Sequence, residues 1–143
     1  MNIGQASALS GLPSKTIRYY ESVDLIVPKR QQDNDYRDYS DVDVGQLRFL
    51  RRARQVGFSL AQCRELLDLY RDPSRQSAQV KALVMSHVEQ LEEQLQNLTS
   101  MRDTLLDMAQ RCPGDQQSEC AIIDDLAQAA APGMSFTLVD TKP

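Results

Sequence analysis

Tryptophan is absent, aromatic residues make up 6% of the 143 residues, and there are one histidine and three cysteines. No apolar run approaches the roughly eighteen residues of a membrane helix, and the mean hydropathy is -0.46, so the sequence reads as a soluble protein. Met1-Asn2-Ile3-Gly4-Gln5-Ala6 offers neither the basic leader nor the apolar core of an export signal, so the expected location is the cytoplasm. An odd number of cysteines without an export signal argues for free thiols or metal ligands over a disulfide framework. The length fits one globular unit, or a small domain with an appendage, and excludes a large two-domain enzyme. No histidine, carboxylate pair or glycine-rich phosphate loop is arranged for catalysis, so an enzyme is not expected.

Charge is unevenly spread. Residues 1–72 hold eleven Lys/Arg against ten Asp/Glu, and residues 73–143 hold five against ten. The cations cluster as Lys15/Arg18, Lys29/Arg30/Arg37 and Arg48/Arg51/Arg52/Arg54. A sequence pI near 4.9 does not exclude nucleic acid, because phosphate contacts depend on a local basic face.

Ile3, Ala6 and Leu9 share one helical face, Gly11 stands where a left-handed turn residue belongs, and Pro13-Ser14 open a second short helix. That second helix gathers Lys15, Arg18 and Tyr19 at i, i+3 and i+4, with Ile17 and Tyr20 turned toward the first. Leu25-Ile26-Val27 and Tyr36-Arg37-Asp38-Tyr39 are extended candidates around a polar loop, a small wing with an acidic tip. A third helix is expected from about Asp41 to Gln55 and a fourth from the capping sequence Ser59-Leu60-Ala61-Gln62, so the helix-turn-helix plan occurs twice. Beyond Pro73-Ser74 a long helix carries Val84, Val88, Leu91, Leu95, Leu98, Met101, Leu105 and Met108 at coiled-coil spacing. One helix cannot bury such a stripe alone, so a homodimer is expected.

Cys63 occupies an apolar helix face and reads as a buried thiol. His87 reads as a flank residue of the coil, since a lone histidine lacks companion ligands, and Met85, Met101 and Met108 read as coil or core filler. Cys112 and Cys120 bracket a turn-bearing loop, Pro113-Gly114-Asp115, outside any apolar stripe. Two thiolates without a histidine suit a soft monovalent ion, Cu(I), Ag(I) or Au(I), better than a four-coordinate divalent ion, and a redox disulfide is the main competitor. The stretch with Ile122, Ile123 and Leu126 reads as a short amphipathic helix.

Thr16-Ile17-Arg18-Tyr19-Tyr20-Glu21, Leu25-Ile26, Tyr36-Arg37-x-Tyr39 and Arg52-Ala53-Arg54-Gln55-Val56-Gly57-Phe58-Ser59-Leu60 resemble the winged-helix domain of MerR-family transcription regulators, over about Met1 to Cys120. Asp72-Pro73-x-Arg75-x-Ser77-Ala78-x-Val80-Lys81 and Cys112-Pro113-Gly114-Asp115-x4-Cys120 resemble the copper-efflux (CueR-type) regulators and their gold-sensing relatives within it. Zinc, lead and mercury sensors of the family carry cysteine where this chain has Ser77, its drug sensors have a large C-terminal domain, and its iron-sulfur member needs four clustered cysteines.

The resemblance implies a mainly α fold: a winged helix-turn-helix DNA-binding domain with a second helix-turn-helix (1–72), an antiparallel coiled-coil dimerisation helix (73–110), a metal-binding loop with a short helix (111–130), and a tail (131–143) read as disordered. It implies a Cu(I)-responsive activator, alternatively induced by Ag(I) or Au(I), that distorts promoter DNA so that RNA polymerase engages both promoter elements of metal-efflux genes. Cys112 and Cys120 would hold the metal, with Ser77 and Lys81 beside it. Ser77 to Met108 spans about 45 Å at about 1.5 Å per residue, so only an antiparallel partner brings one chain's Ser77 to the other's metal loop. Lys15, Arg18 and Tyr19, together with Tyr20, fall on the helix expected in the major groove. Tyr36, Arg37 and Tyr39 of the wing, and Arg54, would meet phosphates. The chain departs from the family at Asp24 and Asp35, where glycine is usual and a positive φ is expected, and at Ala121, where relatives often have proline. The rival functions are a thiol redox switch through Cys112-Cys120 and a copper buffer or carrier without specific DNA binding.

Overall fold

The computed structural model describes residues 1–128. The expected tail lies outside the described residues. The element order is α1 (Ile3–Ser10), α2 (Ser14–Ser22), β1 (Lys29–Arg30), β2 (Arg37–Asp38), α3 (Asp41–Gln55), α4 (Leu60–Arg71), α5 (Ser77–Arg111) and α6 (Ala121–Ala127), a mainly α protein. It forms two compact units that divide within α5, the first being Met1–Met85 and the second beginning at Ser86.

Local chemistry sets the helix starts. Asn2, Ser40 and Ser59 each accept a hydrogen bond from the backbone N–H three residues on, and the side chains of Gln5, Asp43 and Gln62 accept from the cap N–H in return. The α1–α2 turn closes at Gly11, where φ is +78° and the Arg51 guanidinium lies 3.1 Å from the place a Cβ would take. Any side chain there meets both backbone strain and Arg51.

In the first unit, Ala6, Ile17, Tyr20, Leu25, Ile26, Tyr39, Leu47, Leu50, Cys63 and Leu67 interlock in one core, and Val80 and Leu83 from the start of α5 pack against it. Leu9 departs from the expected α1 face: it is 49% exposed, and its carbonyl accepts a hydrogen bond from Arg48 Nε at 3.0 Å. The wing differs too. Its strands pair antiparallel with Lys29 opposite Asp38 and Arg30 opposite Arg37, so Leu25-Ile26-Val27 is not a strand. Leu25 and Ile26 are buried, and the carbonyls of Val23 and Leu25 are taken by arginines of α4, which leaves that stretch no ladder to join.

Further along α5, Leu91, Leu95, Leu98 and Leu105 are exposed in the single chain, an apolar row too regular for a solvated face. His87 corrects the flank reading: it is only 7% exposed. No helix among the described residues is long and apolar enough to cross a membrane.

Candidate nucleic-acid interface and thiol site

α2 presents Lys15, Arg18 and Tyr19 outward and buries Ile17 and Tyr20. The Tyr19 and Tyr20 rings lie 6.2 Å apart, tilted by 47°. α2 closes with Asp24 in the left-handed region at φ +59°: the Asp24 N–H donates to the Glu21 carbonyl at 3.0 Å and the Leu25 N–H to the Tyr20 carbonyl at 2.9 Å. Beyond that bend, the wing carries Lys29, Arg30 and Arg37 on two exposed strands, and Tyr36, 71% exposed, stands just before the second. The wing tip turns at Asp35, φ +57°, so both aspartates that the sequence places at bends do adopt positive φ.

The wing is tied to α2 through Glu21. Its carboxylate pairs with the Arg37 guanidinium and faces the Tyr39 hydroxyl at 3.4 Å. The Glu21 contact raises the Arg37 pKa further, first by hydrogen bonding and then by charge. Arg30 Nη1 donates to Asp35 Oδ2 at 2.9 Å. Arg18, Glu21, Arg30 and Arg37 thus line one cleft of about 340 Å³ between the helix and the wing. A polyanion backbone entering it would meet three guanidiniums, two of them already oriented by carboxylates.

Two expected DNA-facing tyrosines are corrected. Tyr39 is 1% exposed and Tyr20 5% exposed, so both rings belong to the core. Burial pushes both phenols up, and at Tyr39 the Glu21 charge adds to the shift. β2 ends at Asp38, and the Tyr39 N–H bonds the Met1 carbonyl at 2.8 Å, so the ring turns inward instead of continuing the strand's outer face. Arg54 reaches the Phe58 carbonyl at 2.8 Å through Nη1, closing the α3–α4 turn. Charge clusters alone gave no signal for the roles of Glu21, Arg64 and Arg71, because their partners lie sixteen to forty-six residues away.

In the second unit, α5 ends at Arg111 and the chain turns through Pro113 and Gly114, the latter at φ +66°. The Gln117 N–H donates to Asp115 Oδ1 at 2.9 Å and tightens the loop. This brings Cys112 Sγ and Cys120 Sγ to 3.5 Å, both half-buried and unbridged. The Cys120 thiol is held below its ordinary value, first by the N–H of Ile123, then by the Cys112 thiol and the N–H of Ile122. That favours the thiolate, the form that binds metal. Arg111 pairs with Asp107 at 3.2 Å and with the Asp125 carboxylate, joining α6 to the last turn of α5. Cys63, by contrast, is fully buried, and burial pushes its thiol up. Ser77 and Lys81 stand exposed on the first two turns of α5, in the first unit. Among the described residues no group of three or more His, Cys, Asp or Glu is placed to share an ion.

Residues 1–69 match the family "MerR HTH family regulatory protein" and residues 44–108 the family "MerR, DNA binding". The chain is 47% identical over 131 residues to heavy metal-dependent transcription regulator 2 of Rhizobium meliloti (strain 1021), covering 92% of this chain and 89% of that protein. It is 46% identical over 127 residues to the HTH-type transcriptional regulator CueR of Salmonella typhi, covering 89% and 92%. Among solved structures, it is similar to the transcription regulator PbrR691 of Ralstonia metallidurans CH34, crystallised with lead(II), with a TM-score of 0.80, 30% identity, and coverage of 89% and 99%. The helix–wing cleft, the paired helix-turn-helix units and these matches agree: the chain belongs to the MerR family of helix-turn-helix transcription regulators.

Proposed function

We propose that the protein is a Cu(I)-responsive transcription activator, working as a homodimer on promoter DNA. The observation that carries this reading is the pair of thiols, Cys112 and Cys120, held 3.5 Å apart in a turn-bearing loop with no third ligand group among the described residues. That donor set fits a soft monovalent ion, Cu(I) or in its place Ag(I) or Au(I), and is poor for a tetrahedral divalent ion. The similarity to a regulator named CueR supports the same choice. When bound, the metal would supply two metal–thiolate bonds that cross-link the end of α5 to the start of α6. The chain's own part is to offer those sulfurs with Cys120 biased toward thiolate.

The division of labour follows the sequence: 1–72 for DNA, 73–110 for dimerisation, 111–130 for metal. Lys15, Arg18 and Tyr19 read bases in the major groove, and Tyr36, Arg37 and Arg30 engage phosphates from the wing. The exposed α5 leucines pair with a second copy, and an antiparallel arrangement sets Ser77 and Lys81 of one chain beside the metal loop of the other. There the N-terminal end of α5 and the Lys81 ammonium offset the net charge of -1 on a Cu(I) dithiolate. Metal binding then changes how the dimer distorts promoter DNA, and RNA polymerase responds.

A second reading keeps the same loop: at 3.5 Å the two sulfurs also sit near enough for a disulfide switch. One experiment separates the two. Purified protein is titrated onto its promoter fragment with and without Cu(I) under strong reductant, and DNA distortion is followed by fluorescence transfer between the fragment's ends. The metal reading expects binding in both states and a Cu(I)-dependent change in distortion. A change that requires oxidant and ignores Cu(I) supports the disulfide.

A further inference from the structure

Val23-Asp24-Leu25 form the bend by which the chain leaves α2 on its way to the wing. Asp24 there adopts a left-handed conformation, which costs a residue with a Cβ free energy that glycine avoids. Carbonyls of α2 accept the N–H groups of Asp24 and Leu25, and the carbonyls of Val23, Asp24 and Leu25 are left without a partner on α2. All three are met by guanidiniums of α4. Arg64 Nη2 donates to the Val23 carbonyl at 2.6 Å, and its Nη1 approaches the Asp24 carbonyl at 3.5 Å. Arg71 Nη2 donates to the Leu25 carbonyl at 2.7 Å and to the buried Gln46 side chain on α3 at 2.8 Å. Leu25 and Ile26 then drive into the core, and the chain leaves through Pro28 into β1.

We infer that Arg64 and Arg71 are positioning residues for DNA recognition: from α4 they hold the strained bend that fixes where the wing stands relative to the recognition helix. This rests on the DNA-binding reading above. As phosphate contacts, these arginines would present their donors outward, whereas the donors named above face carbonyls and an amide of their own chain. As general stabilisers they would be buried, whereas both residues are exposed and their hydrogen bonds converge on one bend. Arg71 is also the last residue of α4, directly before the Asp72-Pro73 turn into α5, so the wing's root is tied to the segment that leads into the dimerisation helix.

The test measures promoter-fragment affinity of the full chain across a salt series for Arg64→Met, Arg71→Met and the double variant, each with and without Asp24→Gly. Methionine keeps most of the aliphatic stem and removes the donors. The double variant is expected to bind about 10- to 100-fold more weakly, with an unchanged slope of log affinity against log salt, because each lost phosphate contact would lower that slope by about 0.9. Asp24→Gly should restore most of the loss, since glycine adopts the left-handed bend without the Cβ penalty. Amide hydrogen exchange at Leu25 and Ile26 should speed up in the double variant and slow again with glycine, while the melting profile keeps a folded dimer in view. Full affinity in the double variant, a slope lowered by about one per arginine, or a loss that Asp24→Gly leaves in place would each overturn the inference. Wild-type binding with unaffected variants refutes only this inference. Failure of the wild type to bind refutes the DNA-binding reading beneath it.

Discussion

Cys63 and the pair Cys112/Cys120 show how one residue type takes two roles through its surroundings. Cys63 is sealed in the core and its thiol is pushed up by burial, whereas the loop thiols are half-buried and Cys120 is pulled down by backbone N–H groups. Alkylation of the native, reduced protein should therefore modify two thiols per chain readily and the third only after unfolding, as read by mass spectrometry. Rapid labelling of Cys63 in the native state would contradict its placement. Arg18, exposed on α2 beside the wing cleft, belongs to the same scale. Arg18→Ala should weaken promoter binding by roughly 10- to 100-fold, the worth of an arginine–guanine contact at about 1–3 kcal/mol, without lowering the melting temperature. Anisotropy titration against the promoter fragment checks the first part, and thermal unfolding the second. These placements were legible in the sequence because each rests on near neighbours: a helix spacing, an apolar face, a Pro-Gly turn. Tyr39 was not legible. A period-two reading keeps residues 37 and 39 on one face, but β2 lasts only two residues and the chain has turned before it reaches the tyrosine.

At the scale of elements, the helices follow their capping residues, and α3 and α4 begin where Ser40 and Ser59 place them. The first wing strand lies downstream of its expected place because the carbonyls before it are claimed by Arg64 and Arg71, a contact over about forty residues that no local pattern encodes, whereas the second falls within Tyr36–Tyr39 as expected. Leu9 likewise keeps its helical spacing, yet the buried face of α1 runs through Ala6 and Ser10 and leaves Leu9 beside it, half exposed. α5 carries the clearest test at this scale. Leu95 and Leu98 are 64% and 58% exposed in one chain, and under the proposed function a second helix would cover them. Leu95→Asp places a carboxylate in that seam, and the dimer dissociation constant should rise by at least about 100-fold. Sedimentation should find the parent at twice the 16.1 kDa chain mass and the variant at the chain mass under the same conditions. A variant that stays dimeric would place the interface elsewhere.

The whole molecule has two units: one whose α2 and wing form the cationic cleft, and one whose loop holds the thiols. Bending a promoter-sized stretch of DNA costs about 1–6 kcal/mol by elastic estimates, so under the proposed function metal binding would have to bias two dimer packings by a comparable amount. The acidic second half of the chain keeps the overall pI low while the basic residues cluster in the first half. The most direct measurement is single-round transcription in vitro from the cognate promoter under strong reductant, comparing wild type and Cys112→Ser with and without Cu(I). The account predicts that both proteins occupy the promoter and that transcript rises only for wild type with Cu(I). Activation by Cys112→Ser in the presence of Cu(I), or wild-type activation that requires an oxidant instead of the metal, would contradict it.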